Sequence, residues 1–338
     1  MATNEVILLK AQAGIEVTRG TNVAATRKVY AQITPTYNKA LMEFQDTTGS
    51  FFDRRRPAYG REKVGFSAKD IATFEDLPWW AQFFLKGGVT GTSDSGTPSP
   101  GYVYTFTPTA ATDDLKSMTL EFNDDGNPYE TGQVMVTQAT LRMDADNDSE
   151  PGWMLDLELM GRDWVTTTFT GALSDRTTEV IMARGSKIYI DDAGGTIGTT
   201  QKLGSLINAS ITFNTGIHFK AFAEDATGYA ANKVGRGAYR VDAQFTFEFD
   251  SDAEFAKYRN TTPQERMIRL VSEGTQLHAT PSPANKKMQL DLYGYWNSWS
   301  RSDREGNLTA QFGLSAFYDT TAAKLVQLVV TNALSTLP

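Results

Sequence analysis

The sequence predicts a mainly β protein built as two tandem sandwich-like halves, each with a short flanking helix. Three observations carry this expectation: strand-type alternation recurs along the chain, a long alternating stretch followed by a short helix occurs twice, and the two occurrences lie about half a chain apart. The clearest stretch is Gly237 to Asp250, GAYRVDAQFTFEFD. From Tyr239 onward Val241, Ala243, Phe245, Phe247 and Phe249 alternate with Arg240, Asp242, Gln244, Thr246, Glu248 and Asp250. Period two over this length predicts a strand with one dry and one wet face. At about 3.3 Å per residue it would run roughly 40 Å. Ser251-Asp-Ala-Glu254 then reads as a capping box that opens a helix carrying Phe255 and Tyr258.

The earlier occurrence is Tyr59 to Ile71, which leads through Phe74-Glu-Asp76 into a helix from Leu77-Pro78 toward Gly87-Gly88. Proline suits the first helical turn, and glycine suits the stop. Trp80, Phe83 and Phe84 fall on one helical face. Similar approaches precede the two stretches: Tyr37-Asn38 to Asp46-Thr-Thr-Gly49, and Phe213-Asn214 to Asp225-Ala-Thr-Gly228. The copies begin about 177 residues apart. An internal duplication follows, with halves at 1–169 and 205–338 and a connecting segment at 170–204.

In chain order, residues 1–30 read as a short strand and a polar arm, with Ile15-Glu16-Val17-Thr18 alternating and Arg19-Gly20-Thr21 as a turn. Thr90 to Gly101 is a run of Gly, Ser, Thr, Pro and one Asp. Such a run is expected to be a mobile loop. Strands follow at 102–108, 118–122, 133–137, 140–143 and 154–160, punctuated by Asp124-Asp-Gly126-Asn-Pro128 and by 144–152. The connecting segment predicts strands at 178–182 and 187–190. In the second half, strands are expected at 206–213, 217–223, 288–293 and 308–317, with Ala322 to Leu337 as a docked strand or arm.

Composition narrows the function. The chain has 338 residues, 40% hydrophobic and 21% charged, with a net charge of −8. A surface that grips nucleic acid needs clustered Lys and Arg, which this balance argues against. The absence of cysteine removes disulfides and thiolate metal sites and suits a reducing compartment. MATNEVILLKAQAG lacks a signal-peptide pattern, and no run approaches the length of a membrane span, so assembly in a cytoplasm is expected.

Several local patterns invite sharper readings. Asp144-Ala-Asp146-Asn-Asp148-Ser-Glu150 has the alternating oxygens of a calcium loop but Ser149 and Leu155 where that loop needs Gly and Glu, so an acidic hairpin turn is expected. His218 and His278 lack any constellation that would make a metal or catalytic site. Gly194-Gly195-Thr-Ile-Gly198 has no following lysine and reads as a linker turn. Asp53-Arg54-Arg55-Arg56 is a basic run that could touch phosphate or an acidic neighbouring subunit, although such a run is usually a solvated surface. Trp296 and Trp299 could stack on a sugar ring, although a β-edge or subunit contact suits them better. No catalytic residue, cofactor or metal is expected.

Gly14-Ile-Glu16-Val-Thr18-Arg-Gly20-Thr21 resembles the G-x-E-x-T-x-G-T opening of tail tube proteins of long-tailed bacteriophages. The Leu77-Pro78-Trp79 helix ending in Gly87-Gly88, the Ser/Thr/Gly loop, Tyr104 to Pro108, Ser117 to Glu121, and Tyr129 with Gly132-Gln-Val134 resemble the family in the same order. The resemblance covers most of residues 14–165. It implies tail tube β-sandwich folds, two in tandem here, whose long strands contribute to an oligomeric β-barrel lumen. Rings then stack into a tube through which DNA leaves the virion, with three chains per pseudo-hexameric ring, or six in a homohexamer. The implied partners are further copies of the chain, the tape-measure protein and viral DNA that is not tightly bound. On this reading Asp242, Gln244, Thr246, Glu248 and Asp250 line a net negative lumen, while the mixed charges of the first copy leave its sign open. Arg54, Arg55, Arg56, Trp296 and Trp299 are candidate ring contacts, and Thr90 to Gly101 and residues 1–30 candidate ring-to-ring contacts. A carbohydrate-binding sandwich and a head–tail connector are the competing readings.

Overall fold

The computed structural model describes residues 8–45, 47, 49, 51, 54–109, 114–222 and 233–337. Within them the protein is mainly β with two short helices. The chain runs β1 (Lys10–Ile15), β2 (Arg27–Val29), β3 (Gln32–Gln45), β4 (Arg54–Ile71), α1 (Leu77–Phe84), β5 (Thr92–Ser93), β6 (Tyr102–Phe106), β7 (Met118–Asn123), β8 (Tyr129–Asp144), β9 (Met154–Gly161) and β10 (Val165–Thr166). It continues with β11 (Lys187–Asp192), β12 (Gln201–Lys202), β13 (Leu206–Asn214), β14 (Ile217–Phe219), β15 (Val234–Arg236), β16 (Arg240–Glu248), α2 (Ala253–Arg259), β17 (Glu265–His278), β18 (Ala284–Arg304), β19 (Asn307–Ala316) and β20 (Val326–Asn332).

The two runs pair by one plan. In the first, an outer sheet has the order β2-β1-β7-β8-β10, and an inner sheet the order β3-β4-β9-β8. Strand β8 belongs to both, leaving the outer sheet for the inner one along its length. In the second run the outer order is β12-β11-β17-β18-β20 and the inner order β13-β16-β19-β18, with β18 as the shared strand. Strands β5 and β6 extend the second outer sheet beyond β20. The inner sheets join where β13 pairs with β8, so eight strands run continuously from β3 to β18.

The correspondence reaches single residues. Phe66 of β4 faces Leu159 of β9, and Ala243 of β16 faces Leu314 of β19, 177 positions further on in β16. Where β8 changes sheets its register against β9 slips at Thr137, and β18 slips against β19 at Asn297. A bulge bends a strand and increases its twist. Here it sits where one strand must serve two layers.

One apolar core spans both runs. Alternation builds it: Val241, Ala243, Phe245 and Phe247 are buried while Asp242, Gln244 and Glu248 are exposed. Phe66 meets Phe122 of the outer sheet at 5.1 Å between ring centroids, and Trp296 meets Phe312 at 5.0 Å. All eight residues of α1 are buried, and Phe84 lies 5.1 Å from Phe213 of the second run.

Several expectations need correction. The stretch 239–250 is a nine-residue strand, because the Asp250 amide turns back to the Glu248 carbonyl at 3.1 Å and ends the ladder. Its length is roughly 30 Å. The longest strands are β18, with 21 residues, and β4, with 18. Ser251 does not cap α2: Asp252 occupies the N-cap without a side-chain bond, and Glu254 is drawn away to Arg266 at 2.7 Å and Trp296 at 3.1 Å. The 90–101 segment is docked. Asp94 accepts from the amides of Gly96 and Gly101 and meets His278 at 2.7 Å, and the Thr97 amide donates to Thr280. Residues 178–182 form isolated bridges rather than a strand. Segment 170–204 also contains β11 and β12: β11 pairs with β17 and β12 with β11, as β1 pairs with β7 and β2 with β1. Asp53 and Asp225 to Gly228 lie outside the described residues.

Candidate functional site: the wet face and open edges of the inner sheet

The eight inner strands present one polar face. In β16 it carries Asp242, Gln244, Thr246 and Glu248, while Asp250 lies past the strand end. The partner registers place Arg61, Lys63 and Lys69 of β4, Arg142 and Asp144 of β8, Asp156 and Glu158 of β9, and Arg240 and Arg304 on the same side. Six cations (Arg61, Lys63, Lys69, Arg142, Arg240, Arg304) therefore stand against five carboxylates (Asp144, Asp156, Glu158, Asp242, Glu248). The net negative wall expected from one strand becomes a nearly balanced one once its neighbours are counted. Between the charges stand Ser, Thr, Asn and Gln, and the Thr140 and Thr212 hydroxyls bond at 3.1 Å across the β8–β13 junction.

Part of this charge is locally paired. Arg142 donates to Asp156 at 2.6 Å and to Glu150 at 2.7 Å, and Lys69 also pairs with Glu150. Hydrogen bonds from Arg142 and Lys69 hold the Glu150 carboxyl down at about 2. Asp148 pairs with Arg184 at 2.9 Å, and Asp146 with Arg304. The acidic 144–152 segment is thus a turn between β8 and β9 in which Asp146, Asp148 and Glu150 are taken up by separate cations, while Asp144 accepts from the Asp146 amide at 3.0 Å. Among the described residues no cluster of three or more His, Asp or Glu is placed to hold a metal.

At its two ends the eight-stranded sheet stops without a partner. Among the described residues strand β3 pairs only with β4. Beyond Asn297, β18 pairs among the described residues only with β19, since its bonds to β17 end at Tyr295. The β3–β4 hairpin also runs past the body of the sheet and exposes Leu41, Met42, Phe44 and Tyr59. Arg54, Arg55 and Arg56 lie on this hairpin, and Arg56 is exposed with its guanidinium 6.0 Å from the Phe44 ring. Trp296 is corrected from a surface contact to a core residue, because its ring is buried against Phe245 and Phe312. Trp299 is half-buried on Phe255 of α2, 4.2 Å between centroids. Neither ring is left flat and open for a sugar.

The N-terminal motif has a physical role. Glu16 is buried, and its carboxylate accepts from the Gly20 amide at 2.7 Å, Ser117 at 2.6 Å, Thr119 at 3.2 Å and the Gln133 amide at 2.7 Å. It thereby ties the 18–21 turn to β7 and β8. Gly20 has a φ of 80°, and a Cβ at Gly14 would collide with the Ala24 carbonyl. Glycine meets both demands.

A family model described as phage tail tube protein matches residues 9–286. The chain belongs to the phage tail tube protein family. No curated protein matches it significantly. The tail tube match opens beside β1 and runs through both sets of strands into the start of β18. In this tail tube protein the residues that sequence reasoning missed are those of the ion pairs ahead of α1, one of which joins the two runs. Arg27 and Arg176 converge on buried Asp76, the second at 2.9 Å, and burial lowers the Arg27 guanidinium to about 10. Lys286 of β18 reaches Glu75 at 2.6 Å and Glu179 at 3.0 Å. Only the acidic pair Glu75-Asp76 ahead of α1 hinted at this lock. Two of its cations lie a hundred residues or more away.

Proposed function

We propose that this tail tube protein polymerises into stacked rings whose inner sheets line the channel for DNA ejection. Each ring would hold three chains. The supporting observation is the strand order: one chain carries two equivalent four-stranded inner runs in line, with an open edge at each end. Exposed edges invite pairing, and closure into a barrel removes them. Three copies of eight strands would give a ring that is sixfold in its sheet and threefold in its chains. The repeats on this reading are β1–β10 and β11–β20, each a sandwich of one outer and one inner sheet, so the second begins at β11 rather than at 205.

The wet face suits a conduit. Phosphate is held by clustered cations that displace its counterions. A face of mixed, near-balanced charge with many hydroxyls offers DNA no such clustered grip. The tape-measure protein would occupy the same channel before ejection, and the exposed apolar hairpin of β3–β4 would seat on the next ring. The site is structural, residing in the virion tail, and the proposal includes no catalytic step. Electron microscopy of purified protein with its mass in solution tests it. Rings or tubes with a central channel and three chains per ring are expected. Six chains per ring would keep the tube and overturn the fused-repeat reading, and a monomer at all concentrations would overturn the tube.

A further inference from the structure

The junction between the two runs is a template for a junction between chains. We infer that the free edge of β18 pairs antiparallel with the free edge of β3 in a second copy, in the register by which β8 pairs with β13. This rests on the ring reading above and adds to it the two edges and the alignment between them.

The alignment follows from the internal correspondence. Matched through their bulges, Thr137 and Asn297 take equivalent places, so Thr140 corresponds to Ser300. Matched through their partners on β4 and β16, Ala209 corresponds to Ile33 and Thr212 to Thr36. Within the chain Thr212 faces Thr140, Ser210 faces Arg142 and Asn214 faces Gln138. Carried to the open edges, Thr36 faces Ser300 of the second copy, Thr34 faces Ser302, and Asn38 faces Ser298.

Three observations support this occupant. The hydroxyl pair Thr140–Thr212 at the internal junction maps onto Thr36 and Ser300, again two hydroxyls. The facing wet-side residues from 34 to 38 and from 298 to 302 are all uncharged, so no like charges meet. A cavity of about 710 Å³ opens beside the free edge of β3, with Ile33 and Pro35 in its wall. Their counterparts Ala209 and Ile211 are buried where β8 lies alongside. The helices agree: α1, at the internal junction, is buried throughout, whereas α2, at the open end, has no buried residue. Pro35 has no amide hydrogen, so the ladder is one bond short at that position. Two different edges meeting head to tail make a heterologous contact, which closes into a ring when the rotation allows.

The chain has no cysteine, which makes the test clean. Positions 36 and 300 lie on the first and last of eight inner strands, about 34 Å apart along the sheet at seven spacings. A disulfide needs Cα atoms within about 7 Å. The double variants T36C/S300C and T34C/S302C are assembled, oxidised and run without reductant, beside the control N38C/S302C, which is displaced by four residues. Covalent species of two and three chains, at least tenfold above the control, are expected for both registered pairs. Rings visible by microscopy without these cross-links, or a control that links equally, would overturn the register and leave the tube reading standing. Absence of both rings and cross-links would overturn the two together.

Discussion

Asp70 sits on the dry side of β4, buried, with its carboxylate taking a hydrogen bond from the Trp80 indole at 3.2 Å. Burial pushes its carboxyl up to about 6, against the opposing pull of Trp80. A folded value above the unfolded one means stability is fully present below about pH 4 and is lost as pH rises through about 6. Asp70→Asn keeps an acceptor for Trp80 and cannot ionise. It should raise stability at pH 7 by about 1–3 kcal/mol and flatten the slope between pH 4 and 6. Urea unfolding at both pH values checks this, and an unchanged slope would contradict it. Glu16 is a buried carboxylate surrounded by donors. Glu16→Gln turns an amide N–H₂ toward one of those donors and should cost about 1–3 kcal/mol. Thermal unfolding would register the loss.

Among the elements, the β3–β4 hairpin and the two helices show what a local pattern conveys. Both helices lie where the sequence places them, because Pro78 in the first turn and the aromatic spacing of Trp80, Phe83 and Phe84 are local signals. The cap of α2 was misread, since Glu254 has better partners in Arg266 and Trp296, from strands the local sequence does not mention. The docked 90–101 segment was misread for the same reason, because His278 supplies its anchor from 184 positions away. The exposed hairpin yields a prediction of its own. Replacing Leu41 and Phe44 together by serine should leave ring mass unchanged while shortening tubes severalfold, because both side chains are already solvent-exposed in the single chain. Tube lengths by microscopy, beside ring mass, separate stacking from ring closure. Normal tubes would remove the hairpin as the axial contact.

For the molecule as a whole, the quantity that matters is the charge of the wet face, and no single strand determines it. Asp242 and Glu248 suggest an acidic wall, yet Lys63, Lys69 and Arg142 from other strands bring it near balance. Reversing Glu158 and Asp242 to lysine adds two charges at each site and leaves the face strongly positive. DNA ejection should then slow severalfold at low salt and recover as salt screens the attraction. An ejection rate insensitive to both changes would show that this face does not line the path.

Facing was legible from the sequence alone, because side chains alternate across any strand whatever its neighbours: Phe245 had to be dry if Gln244 was wet. The family motif was legible too, since Gly14, Glu16 and Gly20 serve one local turn. Neighbourhood was not. Strand β8 meets β13, and Lys286 meets Glu75, through pairings chosen by burial and packing across long separations in the chain. The tertiary structure therefore decided the balance of charge, the lock between the runs and the two edges left open, all of which depend on which strands lie side by side.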